Sequence, residues 1–197
     1  MYQPTKFITR HRNLPLNYGN YYYFSNTFSP EELEKIRELG ERTQKEKGGV
    51  TEEGVITDTR ISEIGWIGME QEAIWLYDKI ADLVIEANTA MWNLDVSGYH
   101  DHFQYTTYYG GGGHYDWHTD VGPGMANRKI SVVLQLSNPE DYTGGDLELN
   151  GGGGIIRPPK DLNTLVIFPS FVLHRVTPVL TGTRKSLVIW LSGPPLR

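Results

Sequence analysis

Residues 110–120 read GGGGHYDWHTD and hold the pattern His-x-Asp twice, as His114-Tyr115-Asp116 and as His118-Thr119-Asp120. Further on, His174 lies in the apolar stretch FPSFVLHRVTPV, and Arg184 follows ten residues later in GTRKS. Two imidazoles and one carboxylate make the facial triad that holds a non-haem Fe(II) ion. Such a set fills one face of an octahedron and leaves three positions, two for a bidentate keto-acid and one for O2. The far carboxylate of the keto-acid then needs a planar, permanently charged partner inside an apolar barrel, which suits arginine.

Taken singly, each residue has a plainer explanation. A His-x-Asp triplet often marks a solvated face. A histidine in an apolar strand is more often a hydrogen-bonded core residue, and an arginine at a strand start is usually a surface charge. The combination is what points to a metal. Alternation along a strand sets His114, Asp116, His118 and Asp120 on one face and Tyr115, Trp117 and Thr119 on the other, so period alone does not choose between the two copies. VGPG follows Asp120, which puts the second copy at a strand end. Ser186 and Trp190 share the strand face of Arg184. HDH at 100–102 is a further metal-like pair, read as surface because it precedes the first core strand. A zinc hydrolase built on His114 and His118 has no glutamate beside either histidine to act as general base. A cupin-like, non-catalytic binding module is a second rival, and Arg184 speaks against it, because such a module has no need of a buried carboxylate clamp.

These residues need rigid elements to hold them. SPEELEKIREL predicts a helix with Ser29 as N-cap, Pro30 in the first turn and Glu32 completing a capping box. Leu33, Ile36 and Leu39 recur at helical spacing, and Gly48-Gly49 is expected to stop the run. A second helix is expected from about Glu70 to Trp92, with Tyr77, Ile80, Val84, Ala87 and Met91 on one face. From about residue 98 the segments are short, β-branched or aromatic, and punctuated by Gly, Pro, Asn and Asp. About eight strands at this spacing predict an antiparallel sandwich or jelly roll. The GGGG runs at 110–113 and 151–154 read as loops.

The composition narrows the classes. The chain has 197 residues, 39% of them apolar, which predicts one folded domain. Cysteine is absent, so disulfides, Cys-ligated zinc and Fe–S clusters are excluded, and any metal must be held by His and carboxylate. A net charge of -6 argues against non-specific nucleic-acid binding. MYQPTKFITRHRN has no apolar core of a secretory signal, and TLVIF and SLVIWL are too short to cross a membrane. The expected location is cytoplasmic, with no membrane or nucleic-acid partner.

The stretch from YYGGGGHYDWHTD through SVVLQLSNPEDYTGGDLEL to IFPSFVLHRVTPVLTGTRKSLVIWLS, about residues 103–192, resembles the Fe(II)/2-oxoglutarate-dependent dioxygenases of the prolyl 4-hydroxylase-like superfamily. It is nearest to the small bacterial and phage PKHD-type hydroxylases. The resemblance implies a mainly β double-stranded β-helix with supporting N-terminal α-helices. It gives one domain over 1–197, with helical support at about 29–95 and the β-helix core at about 98–192. It implies His118, Asp120 and His174 as metal ligands, and Arg184 as the partner of the distal carboxylate of 2-oxoglutarate. Tyr109 matches a family tyrosine whose hydroxyl reaches that cosubstrate, with Tyr105 and Tyr108 as alternatives. Ser186 matches a small polar residue beside the same pocket. Tyr115 and Trp190 match aromatic residues near the substrate, and each reads equally well as core. His114 and Asp116 are then a polar lining at the mouth. The family often has a glycine in the turn before TLVIFPS, where this chain has PKDLN.

The implied reaction uses Fe(II), 2-oxoglutarate and O2, with ascorbate as accompanying reductant. It releases succinate and CO2 and hydroxylates an unactivated C–H bond of a prolyl residue in a peptide or protein. A free amino acid, a small metabolite or an alkylated nucleic acid are the other substrates considered.

Overall fold

In the computed structural model the described residues are 19–52 and 55–194, with backbone alone described for 50–52 and 55–58. The stretch 1–13, where no secretory signal is expected, lies outside them. Helix α1 (Pro30–Arg42) begins as its sequence predicts. Ser29 Oγ accepts from the Glu32 amide at 3.2 Å, and the Glu32 carboxylate accepts from the Ser29 amide at 2.7 Å. Two otherwise orphaned donors are thereby satisfied. The helix ends at Arg42, earlier than expected, where Thr43 Oγ1 donates to the Gly40 carbonyl at 2.7 Å.

Gly48-Gly49 does not stop a helix. It lies in β2 (Glu46–Glu52), which pairs with β3 (Val55–Ile67), Gly48 opposite Ser62. The expected helical support at 29–95 therefore contains a β-hairpin. Alternation of β-branched residues in VITDTRISEIGWI was its signal. Helix α2 (Ile74–Met91) buries Leu76, Tyr77, Ile80, Val84 and Ala87 along one face, close to the expected stripe.

Short strand β1 (Tyr22–Phe24) precedes α1, and β4 (Gly98–Tyr99) follows α2. The rest is β5 (Phe103–Tyr109), β6 (Gly113–His118), β7 (Arg128–Gln135), β8 (Tyr142–Gly144), β9 (Leu147–Asn150), β10 (Ile155–Ile156), β11 (Leu165–Pro169) and β12 (Leu173–Ser192). The larger sheet runs β1-β11-β7-β12-β5-β3-β2, every neighbouring pair antiparallel. The smaller sheet forms around β9, β6 and β8, all paired to the first half of β12. β12 joins the two sheets. Residues 173–182 pair in the smaller sheet, and residues 183–192 pair with β5 and β7 in the larger. β3 bends between sheets in the same way, with Arg60 and Ile61 on β6 and residues 63–67 on β5. This is a jelly roll with two helices on the outside of the larger sheet.

Period-2 alternation assigns the faces. On β7, Ile130, Val132 and Leu134 join the helix-side core, as do Phe103 and Tyr105 of β5 and Leu187 and Ile189 of β12. Gln104 and Tyr108 on β5 and Ser186, Val188 and Trp190 on β12 face the space between the sheets instead. Val133, Phe168, Leu147 and Leu149 form the apolar packing there. Gly40 lets α1 sit against the sheet, because a Cβ at this position would lie 2.1 Å from the Tyr105 ring. Among the described residues no helix is long and apolar enough to cross a membrane.

Candidate active site

His118 ends β6, Asp120 lies two residues on, and His174 opens β12 opposite His118 in the register. Their ligand atoms lie within 4.8 Å of one another. His118 Nε2 is 3.8 Å from Asp120 Oδ1, and His174 Nε2 is 3.4 Å from Asp120 Oδ2. Each imidazole is turned by its own backbone. His118 Nδ1 faces the Asp116 carbonyl at 2.7 Å, and His174 Nδ1 faces the Val172 carbonyl at 2.9 Å. A carbonyl only accepts, so Nδ1 carries the proton and the Nε2 lone pair is free for an ion. Asp120 is oriented by Ser131, whose Oγ donates to Oδ2 at 2.6 Å, and Ser131 bonds Ser170 at 2.9 Å.

The electrostatics suit metal ligands, which must be deprotonated. Burial and the facing His174 push the His118 imidazolium down to about 4, so the ring is neutral at pH 7. Burial alone would raise the Asp120 carboxyl, but His174, His118 and the Ser131 hydrogen bond outweigh it and hold the group below its usual range. Two imidazoles and one carboxylate, each with its other polar atom satisfied, are a donor set for a divalent first-row ion.

The triad sits in a cavity of about 360 Å³ between the sheets. Val133, Leu147, Phe168 and Val176 give it an apolar wall. Arg184 is 1% exposed and lines the same cavity. Its Nη2 donates to Gln135 Oε1 at 3.0 Å and its Nη1 to Ser186 Oγ at 3.3 Å. Nε is buried without a partner among the described residues. A buried guanidinium held only by neutral groups is an anion site by its chemistry, and the distal carboxylate of a keto-acid fits it.

Tyr109 does not reach this place. It is 49% exposed, and its hydroxyl donates to Glu63 at 2.6 Å. Alternation along β5 sends Tyr105 and Tyr109 to the outer side and Tyr108 inward, where its ring lies 5.5 Å from the Arg184 guanidinium. Tyr105 packs in the helix-side core and donates to Glu41. Tyr108 is therefore the tyrosine placed at the cavity. The other expected residues, Ser186, Tyr115 and Trp190, all line it.

Tyr115 reaches the cavity against the alternation expected for β6. Val176 pairs with Tyr115 and His174 with His118, so three steps on β6 match two on β12. This bulge brings Tyr115 and His118 to one face, their rings stacked at 3.5 Å. His114 and Asp116 fall outside the cavity lining. His114 Nε2 is 3.8 Å from Asp116 Oδ2, and its Nδ1 faces the Gly112 carbonyl. No third ligand joins them among the described residues. His100, expected at the surface, is half-buried beside Asp101.

Three residues lining the cavity, Arg60, Gln104 and Arg128, had not been singled out in the sequence, nor had Gln135, which holds Arg184. Arg60 and Gln104 are joined by a 2.7 Å hydrogen bond, and Arg128 and Gln135 enter from β7. Gln135 shares the inward face of Val133 on β7, and Gln104 that of Tyr108 on β5, a signal available from alternation. Arg60 lies on the hairpin that the helical reading overlooked.

The sequence profile of the 2OG-Fe(II) oxygenase superfamily matches residues 103–192. A PKHD-type hydroxylase of Shewanella baltica is 37% identical over 90 residues, 43% of this chain and 40% of its own. One from Teredinibacter turnerae is 39% identical over 91 residues, with the same shares. The match thus spans 40% of the length of these relatives. A Trichoplax adhaerens prolyl hydroxylase, solved with a hypoxia inducible factor oxygen degradation domain peptide, superposes with a TM-score of 0.74 at 19% identity. It covers 88% of this chain and 84% of its own. A Pseudomonas putida prolyl-4-hydroxylase gives 0.68 at 23% identity, covering 88% and 92%. At these identities the two structures establish the shared fold.

Proposed function

We propose, from the premise that residues 103–192 place the chain in the 2OG-Fe(II) oxygenase superfamily, that it is one oxygenase domain which hydroxylates a prolyl residue of a peptide or protein. The observation that carries this reading is the meeting of two groups in one cavity. One is the His118-Asp120-His174 cluster, and the other is a buried arginine with no acidic partner among the described residues. The prolyl substrate is supported by the prolyl hydroxylases that share the fold, and hydroxylation by the name of the curated relatives.

His118, Asp120 and His174 would hold Fe(II), and Arg184, with Tyr108 and Ser186 beside it, would hold 2-oxoglutarate. Bound together, these groups supply O2 activation, with 2-oxoglutarate decarboxylated to succinate and CO2 and a C–H bond hydroxylated. The chain's own task is placement and exclusion of water. Ser131 orients the Asp120 carboxylate that would hold the ion. Gln135 and Ser186 hold the Arg184 fork in one orientation, so a carboxylate meets it without rearrangement. The apolar wall keeps water from the reacting centre. Tyr115 and Trp190 flank the metal cluster and would border the substrate.

The test is succinate formation with Fe(II), 2-oxoglutarate, ascorbate and O2, screened over proline-containing peptides. The expected result is peptide-dependent succinate together with a mass gain of one oxygen on the peptide. Succinate that never depends on any peptide, with no modified product, would reject the prolyl reading.

A further inference from the structure

We infer that the substrate carries a carboxylate on, or next to, the residue that is hydroxylated, and that Arg60 and Arg128 receive it. The inference rests on the oxygenase reading and names the substrate class for the same cavity. Three arginines line that cavity, and among the described residues one acid, Asp120, lines it with them. A divalent ion and a keto-acid dianion cancel each other. Asp120 offsets one guanidinium and Asp101 pairs with Arg128, so one positive charge is left facing the substrate space.

Arg184 is assigned to the cosubstrate, which leaves Arg60 and Arg128. Both lie over aromatic rings that line the cavity with His118, Asp120 and His174. The Arg60 guanidinium lies 4.9 Å from the Tyr115 centroid, and Tyr115 stacks on His118. The Arg128 guanidinium lies 4.1 Å from the Trp190 centroid. Arg60 bonds only neutral groups among the described residues, Ser62 through Nε and Gln104 through Nη2. Arg128 bonds Asp101 through Nη2 at 2.6 Å, but its Nε is buried without a partner among the described residues. Stacking fixes a guanidinium plane and leaves its edge for a planar acceptor. A neutral peptide segment offers nothing of the required sign, and a half-buried guanidinium such as Arg60, without a counter-ion among the described residues, is unfavourable. A carboxylate supplies both the sign and the planar geometry. It comes either from the C-terminus of the reacting residue or from a neighbouring acidic side chain.

Three probes separate these sources: N-acetyl-L-proline, N-acetyl-L-prolinamide and the blocked dipeptide acetyl-Pro-Glu-amide. Binding is measured anaerobically on Mn(II)-loaded protein, with and without 2-oxoglutarate. One of the two carboxylate probes should bind at least about tenfold tighter than the amide, as a charge-assisted bidentate pair requires. Arg60→Gln and Arg128→Gln should each remove most of that preference while 2-oxoglutarate affinity changes by less than about twofold. Arg128→Lys, which keeps the charge opposite Asp101, guards against loss of fold, and thermal melts accompany every variant. Equal binding of all three probes to the unmodified protein, or binding of none, would overturn the inference. Failure of the protein to bind 2-oxoglutarate would instead reject the oxygenase reading, and the preference measured without it still judges this one.

Discussion

Two copies of one local motif, four residues apart, share a shape but not a use. His114 and His118 each turn Nδ1 to the carbonyl two residues back, and each keeps Nε2 at 3.8 Å from the aspartate two residues on. Only the second copy is joined by His174. His118→Ala, Asp120→Ala and His174→Ala should therefore each abolish Mn(II) binding in isothermal titration, while His114→Ala retains it. Loss of the metal in the His114 variant with retention in the His118 variant would reverse the assignment. Arg184 makes a separate claim. Removing one partner of a charge pair in so dry a place costs about 2–5 kcal/mol, so Arg184→Ala should weaken 2-oxoglutarate at least about thirtyfold. Mn(II) affinity should stay the same, and Arg184→Lys should restore part of the loss. Equal 2-oxoglutarate affinity in a folded Arg184→Ala protein would remove the clamp.

α1 and the larger sheet meet at Gly40, where any Cβ would enter the Tyr105 ring. Gly40→Ala keeps helical φ/ψ and even favours it, so its effect isolates packing. It should lower stability by about 1–3 kcal/mol through overpacking, read as a shift of the urea midpoint. An unchanged midpoint would mean that α1 is not seated on Tyr105. The legible part of these elements is local. The capping box at Ser29 and Glu32, the stripe on α2 and the alternation on β7 and β12 each depend on residues within a few positions. The same alternation, counted from Phe103, also separates Tyr108 from Tyr109. The assignment of Tyr109 followed the family resemblance and passed over that count. The bulge in β6 is of another kind. It exists because β12 offers two residues where β6 has three, and nothing in HYDWH records the partner's spacing.

The burial of the triad couples it to the stability of the whole chain. An ordinary histidine titrates near 6.5, and folding pushes His118 down to about 4. Between those values the unfolded chain takes up a proton that the folded one refuses. Stability is thus fully present above about 6.5 and is lost as the pH falls toward about 4. Asp120, held below its usual range, adds a loss of the same sign at lower pH. Thermal midpoints of the metal-free protein should fall across this window, and His118→Asn should flatten the profile. A profile that is already flat in the unmodified protein would contradict the burial of His118. The amino-acid order alone settled the residue types able to bind a metal, the absence of cysteine ligands, the helix start at Ser29 and the inward faces of the core strands. Each of these follows from composition or from short-range periodicity. The family resemblance already implied His118-Asp120 with His174 and Arg184, but residue order by itself left both His-x-Asp copies open, and that Arg60 and Arg128 meet them in one cavity came only from folding. Those residues belong to strands remote in the chain, and their meeting depends on how β3 and β12 bend from one sheet into the other.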